Sequence, residues 1–105
     1  MIFDIRTYRL QPHRRREWLE VYAEHGYPVQ VEHLGEPLFV ATTEVGCLNE
    51  VVHVWTYESH AEREAQRSAM ERDPRWAAYL ERTWDAGAAV NLENRLARST
   101  WFSPR

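Results

Sequence analysis

The segment Val51 to Tyr57 reads Val-Val-His-Val-Trp-Thr-Tyr, and its strict alternation is the strongest constraint in the chain. In a strand, side chains point alternately to opposite faces, so Val52, Val54 and Thr56 share one face while Val51, His53, Trp55 and Tyr57 share the other. The first face is expected to be ordinary core. The second joins rings that favour burial to nitrogen and hydroxyl groups that need partners. A first strand, Ile2 to Leu10, has the same character: Phe3, Ile5 and Thr7 alternate with Asp4, Arg6 and Tyr8. Two such strands predict one sheet covered by helices on one side, with the polar-aromatic face turned to something else.

The 105 residues have room for a single domain, residues 1–105, around one core. The formal charge of −3 argues against a nucleic-acid binder, which would usually carry a basic stripe. The single Cys47 excludes an internal disulfide and a cysteine-based metal cluster. No apolar run approaches membrane-spanning length, and Met1 enters a strand without a signal-peptide pattern, so the expected compartment is the cytoplasm.

Gln11-Pro12 ends the first strand, and a helix is expected from about His13 to His25, with Trp18, Leu19 and Tyr22 inside and Gly26 as its stop. Pro28 opens a short helical turn to Gly35. A second strand, Leu38 to Glu44, forms a hairpin with Val51–Tyr57 through the turn Gly46–Asn49. Ser59 and Glu62 make a capping box for a helix to about Glu71. Asp73 and Pro74 then cap and open another, whose buried stripe is expected to hold Trp76, Tyr79, Leu80 and Thr83 or Trp84. A last strand spans about Ala89 to Leu96. The tail carries Trp101 and Phe102, which are expected to dock on the body or on a partner.

The order strand–helix–strand–strand–helix–strand is that of an α+β, ferredoxin-like βαββαβ fold, with helices on one face of an antiparallel sheet. The uncovered face is expected to carry Tyr8, His53, Trp55 and Tyr57, too much aromatic surface to leave in water. Packing two copies face to face would bury it, making a homodimeric α/β barrel.

Several stretches resemble the NIPSNAP family: Thr43-Glu44-Val45-Gly46-Cys47-Leu48-Asn49-Glu50-Val51-Val52-His53-Val54-Trp55, continued by Tyr57-Glu58-Ser59 and Glu62-Arg63-Glu64. Arg6-Thr7-Tyr8, His33-Leu34-Gly35, Asp73-Pro74-Arg75-Trp76, Glu93-Asn94-Arg95 and Phe102-Ser103-Pro104 fit in the same order. Cys47 stands where the family pattern leads one to expect Pro. The resemblance implies the ferredoxin-like fold and the dimeric barrel. It implies little about activity, because the wider superfamily hosts many chemistries.

The candidate catalytic residues are His53, Arg6 and Tyr8. In a barrel lumen they would offer a proton-transfer group, a fixed cation and a phenol. Arg6 would bind a carboxylate or enolate, and Asp4 would orient Arg6 or His53. The expected substrate-binding set is Asp4, Trp55, Tyr57, Glu44 and His33, with Trp55 and Tyr57 walling the pocket, Glu44 near His53 and His33 at the lumen or its rim. The chemistry would be isomerisation, cyclisation or elimination on a small carbonyl or carboxylic compound, without a cofactor. The structural reading is that Asp4, Arg6, Tyr8 and His53 form a buried network setting the dimer's register, in a binding or scaffold protein. The His residues show no metal-binding spacing, and phosphate-loop, dinucleotide and serine-elbow motifs are absent. Haem binding would require a His with open space beside it. Trp18, Trp76 and Trp84 read as core.

Overall fold

The computed structural model describes residues 1–87 and 89–105. The chain runs β1 (Ile2–Arg9), α1 (Arg15–Val21), a π-helical turn (Tyr22–Gly26), α2 (Tyr27–Leu34), β2 (Phe39–Thr42), β3 (Glu50–Tyr57), α3 (His60–Glu71), α4 (Pro74–Asp85) and β4 (Asn91–Arg98). The four strands form one antiparallel sheet in the order β2-β3-β1-β4. This is the expected ferredoxin-like α+β arrangement, with β1 and β3 central and the β2–β3 hairpin at one edge.

The helix boundaries follow local chemistry with one exception. Ser59 accepts a hydrogen bond from the Glu62 N–H at 3.1 Å and so starts α3. Asp73 accepts from the Arg75 N–H at 2.9 Å, with Pro74 opening α4. Gly26, however, does not stop a helix. The backbone continues through the π turn into α2, and Gly26 keeps a helical φ of −96°. Its role is close packing: a Cβ there would lie 2.6 Å from Cζ of Tyr79 on α4.

The alternation of β1 and β3 is as expected, but the helices cover the opposite face. Ile2, Asp4, Arg6 and Tyr8 lie opposite Tyr57, Trp55, His53 and Val51 in register, and this polar-aromatic side faces the helical layer. Trp55, Tyr57 and Ile2 pack with Val29, Leu34 and Met70; Val51 packs with Leu10, Trp18, Tyr22 and Tyr79. The uncovered side carries Phe3, Ile5, Thr7, Val52, Val54 and Thr56, joined by Phe39 and Ala41 of β2. Strand periodicity shows which residues share a face, not which face the helices choose. Trp18 of α1 and Tyr22 of the π turn pack edge-on against Tyr8 and His53 of the sheet, with Tyr79 of α4 packed on Tyr22, and that decides the matter.

Other expectations change too. Trp84 is 75% exposed and Leu80 46%, so the inner stripe of α4 is confined to Trp76, Tyr79 and Thr83. Trp101 and Phe102 pack edge to face on each other at 5.0 Å but do not dock on the body, remaining 94% and 72% exposed. No helix among the described residues is long and apolar enough to cross a membrane.

Candidate functional site

The site lies between the middle of the sheet and α3. Asp4 is fully buried and accepts hydrogen bonds from Arg63 at 3.0 Å, Asn94 at 3.0 Å and Arg6 at 3.4 Å. One carboxylate thereby ties β1 to α3 and β4. Burial alone would raise its pKa, but the Asn94 bond and the charges of Arg6 and Arg63 outweigh it and hold the group below the usual carboxylate range. Asp4 is therefore an ionised anchor.

His53 sits directly across from Arg6 in the strand register and is 1% exposed. Its ring is enclosed by Tyr8, Trp55 and Tyr22, with edge-on centroid distances of 5.1, 5.6 and 5.9 Å. The Trp55 indole N–H donates to His53 Nδ1 at 2.9 Å. The Tyr22 hydroxyl, 3.3 Å from the same nitrogen, donates its own proton to Gln30 Oε1. Nδ1 is thus an acceptor, and a neutral imidazole must carry its proton on Nε2. Burial, followed by the Arg6 charge, pushes the His53 pKa down to about 4. At neutral pH the ring is uncharged and presents an Nε2–H donor, which changes its expected part from proton shuttle to electrophile.

That donor has no hydrogen-bond partner among the described residues. Arg6 Nε, Tyr57 Oη and Arg67 Nη1, all buried, also lack one. An unpartnered buried polar group costs about 1–3 kcal/mol, so each of these groups would gain from a water or a ligand atom beside it. Tyr8 touches both His53 and Trp18, and it lines a cavity of about 150 Å³ bounded by Trp76, Tyr79 and Leu92. On the other flank of the sheet, a cleft of about 440 Å³ opens between Tyr22, Tyr27, Phe39 and Val40.

The expected residues divide clearly. The structure brings Arg6, Tyr8, His53, Asp4, Trp55 and Tyr57 together, under the helices rather than on the uncovered face where a dimer lumen would form. Glu44 does not join them: β2 ends at Thr42, His53 pairs with Val40, and Glu44 lies exposed on the rim of a solvent-open groove with Arg15 and Asn49. His33 is not at a lumen or rim. Its Nε2 lies 2.9 Å from Asp73, which Arg75 also grips, joining α2 to the start of α4. Among the described residues, no three His, Cys, Asp or Glu side chains converge as metal ligands. Arg63, Arg67, Tyr22 and Asn94 were missed from sequence. The available signal was Arg63 and Arg67 one helical turn apart, in line with buried Met70.

The NIPSNAP family model matches residues 3–104. The chain belongs to the NIPSNAP family. A NIPSNAP family protein of unknown function from Agrobacterium tumefaciens is 35% identical and superposes with a TM-score of 0.89, over 99% of this chain and 92% of that one. An uncharacterized NIPSNAP domain protein from Burkholderia xenovorans, 28% identical, matches over 100% of both chains with a TM-score of 0.92. A putative antibiotic biosynthesis monooxygenase from Nitrosomonas europaea shares the fold alone, at 7% identity and a TM-score of 0.68 over 96% of this chain. The mouse protein NipSnap homolog 3B is 33% identical over 75 residues, 70% of this chain. This NIPSNAP chain spans about a third of the curated relatives it matches, 36% of the Dictyostelium discoideum NipSnap homolog and 30% of the mouse protein.

Proposed function

We propose that this NIPSNAP protein binds a small carbonyl or carboxylic compound between its sheet and its helices, and that its chemistry there is stabilisation of developing negative charge. The observation that carries this reading is the pair of cross-strand neighbours Arg6 and His53, each holding a buried N–H without a protein acceptor. Preorganised donors in a site that excludes water act strongly on an enolate or alkoxide. Arg6 supplies the fixed charge, His53 Nε2–H polarises the carbonyl and Tyr8 contributes the phenol beside the cavity. Enolate-mediated isomerisation or elimination and aldol-type cyclisation develop such an anion, and the groups named here stabilise it rather than take the proton.

The test is a nitrogen-resolved NMR spectrum of His53, recorded with dihydroxyacetone and with acetate. A saturable shift of Nε2 with either compound supports the reading, and an unchanged ring with both overturns it. The second reading, a structural core in a binding protein, draws on the completely satisfied Asp4, whose bonds join three elements. It predicts the unchanged ring.

We further propose a homodimer formed through the aliphatic side of the sheet. Phe3, Ile5 and Val52, flanked by half-exposed Phe39, present the apolar surface, and the family resemblance points the same way.

A further inference from the structure

We propose that Arg67 and Tyr57, with Arg6, form an oxyanion site roofed by α3, which takes a carboxylate or phosphate carried by the ligand. The proposal rests on the functional reading above and specifies the class of compound: one with an anionic group of its own.

Three guanidinium groups face the buried middle of the sheet. Arg63 is committed to Asp4 at 3.0 Å, and Arg6 meets the same carboxylate at a looser 3.4 Å. Arg67 follows Arg63 by one helical turn. Its nearest carboxylate, Glu71, is 3.9 Å away and 59% exposed, so water screens that pair. The remaining titratable neighbours, His53 and Tyr57, are neutral near pH 7: burial lowers the imidazole and raises the phenol. One buried carboxylate therefore faces three buried or half-buried cations.

A water molecule could satisfy a stray donor but not this imbalance of charge. Arg67 biases the titration of both Tyr57 and His53 and lies within reach of the Tyr57 hydroxyl oxygen, while the Tyr57 O–H and Arg6 Nε have no acceptor of good geometry among the described residues. Tyr57 is 2% exposed, so its hydroxyl has no bulk water to turn to. A carboxylate or phosphate is the acceptor that arginine N–H groups and a phenol O–H meet with charge-assisted bonds.

The test uses the full chain at low ionic strength. Calorimetric titration and thermal unfolding are followed with sodium acetate, sodium phosphate and, as an ionic-strength control, sodium chloride. The expected result is saturable binding and a raised Tm with acetate or phosphate but not with chloride, the better of the two identifying the class. Arg67→Gln is expected to weaken that binding about tenfold or more, as loss of one charge-assisted bond would. Tyr57→Phe, which removes only an oxygen, serves if Arg67→Gln does not fold and is expected to weaken binding severalfold. Identical curves for the three salts, or variants that bind as the native chain does, overturn the proposal. If the His53 signal still responds to neutral dihydroxyacetone in that case, the anion site falls while the functional reading stands. A native-like anion response with a silent His53 ring shows the reverse.

Discussion

At the scale of single residues, His53 and Tyr57 make opposite predictions about stability. The native imidazole resists protonation because it is buried near Arg6, with a pKa of about 4 against 6.5 for an unperturbed group. The unfolded chain thus binds more protons than the native chain between those values, and stability falls as pH drops through that window. The loss between pH 7 and pH 5 is expected to be roughly 2 kcal/mol. His53→Gln, whose amide oxygen can still accept from Trp55, should remove that component, so urea unfolding at the two pH values should show the native chain losing more than the variant. Tyr57→Phe acts the other way. It deletes a buried hydroxyl whose O–H has no acceptor among the described residues and whose oxygen has only Arg67 nearby, without good hydrogen-bond geometry. Without ligand the variant should therefore be as stable as the native chain or more so, by up to about 1 kcal/mol. A fall in Tm of several degrees in ligand-free buffer would show that the hydroxyl is satisfied after all.

At the scale of elements, what could be read from sequence separates from what could not along a physical line. The four strands, the β2–β3 hairpin and the caps at Ser59 and Asp73 depend on neighbours in sequence and all are present, though β2 is only Phe39–Thr42 and β4 runs Asn91–Arg98. The grouping of Arg6, Tyr8 and His53 followed from period-two alternation and holds as well. The choice of covered face, the exposure of Trp84 and the continuation of the helix through Gly26 depend on partners far along the chain, which alternation and capping do not report. Gly26 shows this best. Ala in a helix interior is favoured over Gly by about 1 kcal/mol, so local propensity alone would make Gly26→Ala stabilising. Against Tyr79, 3% exposed and with ring atoms 2.6 to 2.8 Å from the new methyl, overpacking of about 1–3 kcal/mol should win. Denaturant titration should show a net loss, and a gain would mean that α4 can move away without penalty.

At the scale of the whole molecule, the uncovered side of the sheet is where the proposed dimer would form. The helices bury the polar-aromatic face, so a partner would meet Phe3, Ile5, Val52 and Phe39, and the interface would be apolar, with the candidate site outside it. A dimer formed this way would close the sheets into a barrel without supplying residues to the Arg6–His53 pair, so binding and assembly should be separable. Ile5→Glu tests both at once. Ile5 is half-buried on the uncovered face, opposite Val54 on one side and Arg95 on the other. In an isolated chain the new carboxylate faces water and the Arg95 guanidinium, a tolerable cross-strand pair. In a face-to-face dimer it would be buried without a matching cation at the centre of an apolar interface, which is strongly unfavourable. Sedimentation equilibrium should therefore find the native chain at twice its own mass and the variant at its own mass, with a native-like circular dichroism spectrum. The His53 response to acetate should survive in that monomer, because every group invoked for it lies on the other side of the sheet. Loss of the response along with the dimer would place the site across the interface and move the function back to the lumen.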